Sequence, residues 1–246
     1  MQGIDTSIAA GVGLESAARI AMPSADGQKL SVCLLRFDAE RFSSSAFGEI
    51  GINCPDSIVR SVRKRQAEFF FGRLASRLVL GELSPELAAL DIPIGASREP
   101  LWPGGVIGSI SHCQGYAAST AQLRGRRRGI GIDIEQVVNA DMQQALLASV
   151  VQPQEMDYLR TVRELPLPVL LTLVFSAKEA FFKATFAAVG RMFGFDALRV
   201  TKIDLRQGRL HVIQNHALSE CLVEGQPHIM GFGFVAPGTL LTHCVW

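Results

Sequence analysis

Seven consecutive residues, Gly129-Ile130-Gly131-Ile132-Asp133-Ile134-Glu135, constrain this chain more than any other stretch. Isoleucine at every second position has the two-residue period of a strand. Read as a strand running to Val138, the segment turns Ile130, Ile132 and Ile134 to a core and puts Gly131, Asp133 and Glu135 on the opposite face. Carboxylates at i and i+2 on one face stand about 7 Å apart at Cα, close enough to share one cation. Taken alone, the pattern also fits an amphipathic strand whose acidic side is solvated.

A second segment, Phe175 to Phe186 (FSAKEAFFKATF), has helical spacing. At about 100° per residue, Phe175, Phe182 and Phe186 fall within about 40° of one another. Glu179 lies on the same stripe, with Lys178 and Lys183 on either side of it. A carboxylate in an apolar stripe is costly unless it is paired or holds a metal. The alternative is a surface Glu179–Lys183 pair at i,i+4, worth a few tenths of a kcal/mol. Together the segments offer hard oxygen ligands from Asp133, Glu135 and Glu179, with no His or Cys among them, which suits Mg²⁺ rather than zinc. Lysines beside such a cluster suit a phosphate-bearing substrate.

The rest of the composition narrows the setting. With 246 residues, 48% of them hydrophobic, there is ample material for a core. A net charge of +1 argues against a surface built to coat nucleic acid or an acidic membrane. Cys33, Cys54, Cys113, Cys221 and Cys244 are odd in number and scattered, so neither a disulfide framework nor a zinc site is expected. No signal peptide pattern opens the chain, and the longest apolar run, Leu165 to Phe175, contains two prolines. These features point to a cytoplasmic protein.

Along the chain, residues 1–28 read as a loose N-terminal extension, Leu30 to Phe37 as a strand, and Asp56 or Ser57 to Leu80 as one long helix ended by Gly81. Its apolar positions alternate with Arg60, Arg63, Lys64, Arg65, Arg73 and Arg77. A turn-rich stretch at 95–108 precedes a partly extended segment at 109–121 and a basic loop from Arg124 to Arg128. Helical pattern resumes at 141–150, 153–163 and Leu167 to Val189, followed by short strands separated by Gly208, Gly225 and Pro237. Two similar batches of helices and strands imply an α+β chain with halves at residues 29–127 and 128–246.

The two segments resemble the signatures of the 4′-phosphopantetheinyl transferases: Gly131-Ile132-Asp133-Ile134-Glu135, and Phe175-Ser176-Ala177-Lys178-Glu179-Ala180-Phe181-Phe182-Lys183-Ala184. Phe175 stands where many relatives have tryptophan. Val62 to Ala75 and Arg98 to Tyr116, with its Ser111-His112 pair, are similar to the enterobactin-type, siderophore-linked branch. The resemblance implies two similar α/β halves with pseudo-twofold symmetry and an active site in the cleft between them. It implies transfer of phosphopantetheine from coenzyme A to a serine of a peptidyl, aryl or acyl carrier protein, with release of adenosine 3′,5′-bisphosphate.

The resemblance also implies roles. Asp133, Glu135 and Glu179 would hold Mg²⁺, and Glu179 would accept the serine proton, directly or through water. Lys178 and Lys183 would contact the pyrophosphate, Lys183 also stabilising the leaving group. Arg63 would meet the 3′-phosphate, Arg98 another phosphate, and Ser111 and His112 the nucleotide end, with Arg65 and Arg73 as weaker candidates. A basic patch on the helix or in the Arg124–Arg128 loop would complement an acidic carrier. A monomer with no nucleic-acid or membrane partner is expected. The rivals are a phosphohydrolase using the same acids and a catalytically silent coenzyme A-binding protein.

Overall fold

The computed structural model describes residues 11–246. These residues divide into two compact units, one made of the chain up to Ala21 with Leu30–Arg126, the other of Met22–Lys29 with Arg127–Trp246. Each is built on one sheet and one long helix, as the α+β reading expects.

The first unit has a four-stranded sheet ordered β1-β2-β4-β3, formed by β1 (Leu14–Pro23), β2 (Lys29–Phe37), β3 (Val106–Cys113) and β4 (Tyr116–Leu123). β4 runs antiparallel to both neighbours, with Cys33 opposite Ser119 and Ile110 opposite Ser119 on its other side. Short helices α1 (Ser45–Ile50) and α2 (Asp56–Val59) lead into the long α3 (Arg63–Leu83), and α4 (Pro85–Ala88) follows. α3 buries Ala67, Phe70, Phe71, Leu74 and Ala75 toward the sheet. Phe37 on β2 stacks on Phe71 at 4.4 Å, and Phe70 meets Phe71 edge-on at 5.1 Å. Burial of such rings dominates a core of this size.

Two sequence expectations are corrected here. The loose extension contains a strand, because β1 pairs along the sheet edge while most of its side chains stay exposed, so no alternating pattern marks it. Residues 1–10 lie outside the described residues. The long helix also breaks at residues 60–62 and then runs past Gly81 to Leu83. The Gln66 side chain stabilises the break by donating to the carbonyls of Val59 and Ser61 at 2.9 and 3.0 Å, which supplies donors to chain ends that a continuous helix would satisfy itself.

The second unit has a five-stranded antiparallel sheet ordered β5-β9-β8-β7-β6, from β5 (Ile130–Gln136), β6 (Leu198–Asp204), β7 (Arg209–Gln214), β8 (Pro227–Ala236) and β9 (Thr239–Val245). Helices α5 (Ala140–Ser149) and α6 (Pro153–Leu159) precede α7 (Leu167–Val189), which ends at Gly190 in the left-handed conformation. α7 lies against β5 and β9. It covers the Gly131/Asp133 face of β5, where the sequence reading had placed only the acidic side. A Cβ on Gly131 would collide with the carbonyl of Ala180, and one on Gly129 with that of Ala184. The absence of those side chains lets the helix rest on the strand backbone. The isoleucine face is buried as well, so β5 is covered on both sides. Among the described residues no helix is long and apolar enough to cross a membrane.

Candidate functional site

In the second unit, β5 and α7 bring the acidic residues of the two sequence segments together. Asp133 is buried on β5, and Ser176 of α7 donates to its carbonyl at 3.2 Å while bonding Thr242 of β9 at 2.8 Å. Lys183 Nζ donates to Asp133 Oδ1 at 2.7 Å, tying α7 to β5 at the level of the carboxylates. Burial, the charge of Asp133 and, more weakly, Glu179 push Glu135 up to about 8, against the opposing pull of Lys183. Burial also raises Glu179, with Lys183 opposing and Asp133 reinforcing the shift. Mutual repulsion of half-buried carboxylates is a local excess of negative charge that only protons or a cation can relieve.

These donors are the hard oxygens a Mg²⁺ ion takes. Their side chains do not converge into a closed ligand shell: among the described residues no group of three or more His, Cys, Asp or Glu side chains could hold a metal ion as it stands. The fit therefore rests on the donor chemistry and the shared field.

Glu179 also borders a cavity of about 220 Å³ whose walls include Phe181, Phe182, Met192, Phe193 and Phe195. Phe182 meets Phe186 at 5.4 Å and Phe193 at 5.0 Å, and Phe175 meets Phe195 at 5.7 Å. Of the phenylalanine stripe, Phe182 lines this hollow beside Glu179, while Val174, Ala177, Ala180 and Ala184 form the face set into the core and Phe181 borders both.

Lys178, expected at the pyrophosphate, is 3% exposed and lines the same hollow as Glu179. Its Nζ donates to Glu155 Oε2 of α6 and to the carbonyl of Val150, both at 2.7 Å. Adjacent helix positions point about 100° apart, so a lysine next to an outward glutamate can face the interior. Nothing in the sequence pairs Lys178 with Glu155, which lies on another helix.

In the first unit, His112 of β3 stands beside α3. Arg65 Nη1 and His112 Nε2 are 2.7 Å apart, and Glu68 Oε2 lies 3.4 Å from Arg65 Nη1 and 3.5 Å from His112 Nδ1. Arg73 sits with its guanidinium 4.6 Å over the Phe69 ring, and its Nε is buried without a hydrogen-bond acceptor. Burial first, then the charge of Arg65, brings Arg73 down to about 10. Arg65 and Arg73 are the weaker phosphate candidates of the sequence, whose alternative is a solvated basic helix face. Phe69 four residues before Arg73 was the one sequence signal for the cation–π contact.

The other candidates join this set less closely. Arg63 is exposed and ion-paired to Glu40. Arg98 is exposed at the turn before Pro100 with φ 71°, left-handed backbone that a non-glycine residue seldom adopts. Ser111 is buried, and as the strand neighbour of His112 it points to the opposite face of β3, away from Arg65.

Comparison with known proteins places these features in a family setting. Residues 55–122 match the 4′-phosphopantetheinyl transferase N-terminal domain, and residues 129–232 match the 4′-phosphopantetheinyl transferase superfamily. The chain is 36% identical over 176 residues to enterobactin synthase component D of Salmonella typhi, covering 70% of this chain and 71% of that protein. It is 38% identical over 169 residues to 4′-phosphopantetheinyl transferase Npt of Nocardia iowensis, covering 69% and 73%. It is 35% identical over 148 residues to 4′-phosphopantetheinyl transferase PptT of Mycobacterium tuberculosis, covering 58% and 61%.

Proposed function

Because this chain belongs to the 4′-phosphopantetheinyl transferase superfamily, whose members move the phosphopantetheine arm of coenzyme A onto carrier proteins, we propose that it works through the carboxylates of β5 and α7. The observation that carries this reading is the mutual electrostatic influence of Asp133, Glu135 and Glu179, with Lys183 opposing it and paired to Asp133.

In this reading Asp133, Glu135 and Glu179 hold Mg²⁺, which when bound neutralises the charge of the coenzyme A pyrophosphate. The carrier serine attacks the phosphorus of the arm. An Oγ–P bond forms, the P–O bond to adenosine 3′,5′-bisphosphate breaks, and the serine proton passes to Glu179, directly or through one water. A carboxylate bound to Mg²⁺ is a weak base, which favours the route through one water. Lys183 offsets charge on the departing bisphosphate. The aromatic hollow next to Glu179 is of the right character for the uncharged part of the arm.

In the first unit Arg65, Arg73 and His112 are the proposed anion-binding set, with Arg63 and Arg98 as further proposed phosphate contacts. A largely desolvated guanidinium whose buried Nε lacks an acceptor is stabilised by an anion, which supports Arg73 ahead of Arg63. Ser111 contributes through its backbone or not at all. The carrier belongs to a siderophore or related peptide synthetase, a reading supported by the similarity to enterobactin synthase component D. The protein is proposed to be a cytoplasmic monomer.

The test is intact-protein mass spectrometry of an apo peptidyl carrier incubated with this protein, coenzyme A and Mg²⁺. A gain of one phosphopantetheine mass, abolished by EDTA and restored by added Mg²⁺, is expected. Transfer at an unchanged rate in EDTA would remove the metal from the reaction, and consumption of coenzyme A without a carrier would replace transfer by hydrolysis.

A further inference from the structure

Lys178 and Glu155 form an ion pair that is almost wholly sealed from solvent, at 3% and 0% exposure. Such a pair contributes little net stability, because desolvation of both charges offsets their attraction. What it does supply is geometry. Glu155 Oε1 accepts from the Val200 amide of β6 at 2.7 Å, and Oε2 accepts from the Gln152 amide at the start of α6 at 3.3 Å as well as from Lys178. Lys178 reaches the Val150 carbonyl at the end of α5. Four elements therefore meet at one ammonium and one carboxylate, and the fourth of them, α7, carries Glu179 at the very next position.

We infer that the Lys178–Glu155 pair is a positioning device that fixes the rotation of α7 about its own axis and so aims Glu179 at the reacting atoms. The argument rests on the reading of Glu179 as a working carboxylate. With Lys178 locked inward, Glu179 is turned about 100° away from the core-facing direction. On the far side of the stripe, Lys183 pins α7 to Asp133 at 2.7 Å. The helix is held by an ionic contact one residue before Glu179 and another four residues after it. Lys178 lines the hollow beside Glu179, but its ammonium is spent on Glu155 and the Val150 carbonyl, and Glu155 lies outside the carboxylate cluster.

The test compares Lys178→Met, Glu155→Gln and the charge-free double variant Lys178→Met/Glu155→Leu, with Glu179→Gln alongside. The readouts are kcat, the Mg²⁺ concentration for half-maximal activity, and the Kd of coenzyme A by isothermal titration calorimetry. Each single variant should lower kcat by about 100-fold, the effect of a misplacement near 1 Å, and raise the Mg²⁺ requirement. The Kd of coenzyme A should stay within about twofold of wild type. The double variant, with no unpaired buried charge, should fold and recover kcat to within about tenfold of wild type. A tenfold weaker coenzyme A affinity in Lys178→Met would make Lys178 a ligand of the substrate and overturn the inference. So would a well-folded double variant as inactive as the single ones. Wild-type turnover in Glu179→Gln would instead remove the reading of Glu179 on which the pair's role depends.

Discussion

Replacing Gly131 by alanine tests whether the contact of α7 with β5 sets the site. The new Cβ would collide with the Ala180 carbonyl and stand 2.6 Å from the Ala184 amide nitrogen, where ordinary contact begins at 3.4 Å. Neither obstacle is a side chain that can swing away. Relief demands that α7 lift from the strand by more than the ~0.8 Å gap between those two distances, because the Ala180 carbonyl oxygen is closer still. The helix carries Glu179 and Lys183, and the strand carries Asp133 next but one to Gly131, so the shift falls on the carboxylate cluster. Overpacking of this kind costs about 1–3 kcal/mol, which for a chain of this length lowers Tm by ~2–12 °C. A displacement near 1 Å lowers kcat by about 100-fold. Thermal unfolding by circular dichroism and the mass-spectrometric transfer assay read the two effects. Gly125→Ala, with nothing within 4 Å of its added Cβ, is the control and should leave Tm where it is. A Gly131→Ala protein with the Tm and kcat of wild type would refute the close-approach reasoning.

Other predictions follow from single residues. Glu179→Gln should lower transfer to below about 1% of wild type while leaving Tm equal or higher, because burial and Asp133 already disfavour its charged form; turnover near wild type would take Glu179 out of the reaction. Arg65→Ala should raise the KM for coenzyme A by about tenfold with kcat within about twofold, as loss of a charged contact to bound substrate would do; equal KM values for coenzyme A and its 3′-dephospho form in wild type would sink the phosphate contact. His243 is buried over Gly231, its Nε2 within 3.2 Å of the Pro23 carbonyl and its Nδ1 unpartnered, and burial brings it down to about 4. Since the unfolded chain takes up the proton near pH 6.5 and the folded one only near 4, its stabilising contribution is present above pH 6.5. That contribution is lost as pH falls through this window, about 3 kcal/mol in all. The drop in Tm between pH 7.5 and pH 5 should shrink in His243→Phe, and a drop of equal size in both proteins would show that His243 does not carry it.

Local periodicity was enough to read several elements from the chain alone. α7 spans Leu167–Val189, the range its spacing and Gly190 indicate, and β5 follows the isoleucine alternation. The elements that carry Asp133, Glu135 and Glu179 were legible for the same reason, since a strand of period two and a helix of 3.6 residues per turn decide which side chains share a face. Residues 14–23 were illegible as a strand because an edge strand with exposed side chains draws its order from a neighbour's hydrogen bonds, not from its own pattern. Lys178 and Lys183 look alike in sequence, each a lysine near Glu179. Only the folded chain separates them, giving one to Glu155 in the interior and the other to Asp133 at the site. Arg73 likewise became a desolvated cation over Phe69 only once α3 was packed. The direction of a side chain is local, but its burial and its partner belong to elements distant in the chain, and these decide whether a charge faces the interior or the substrate.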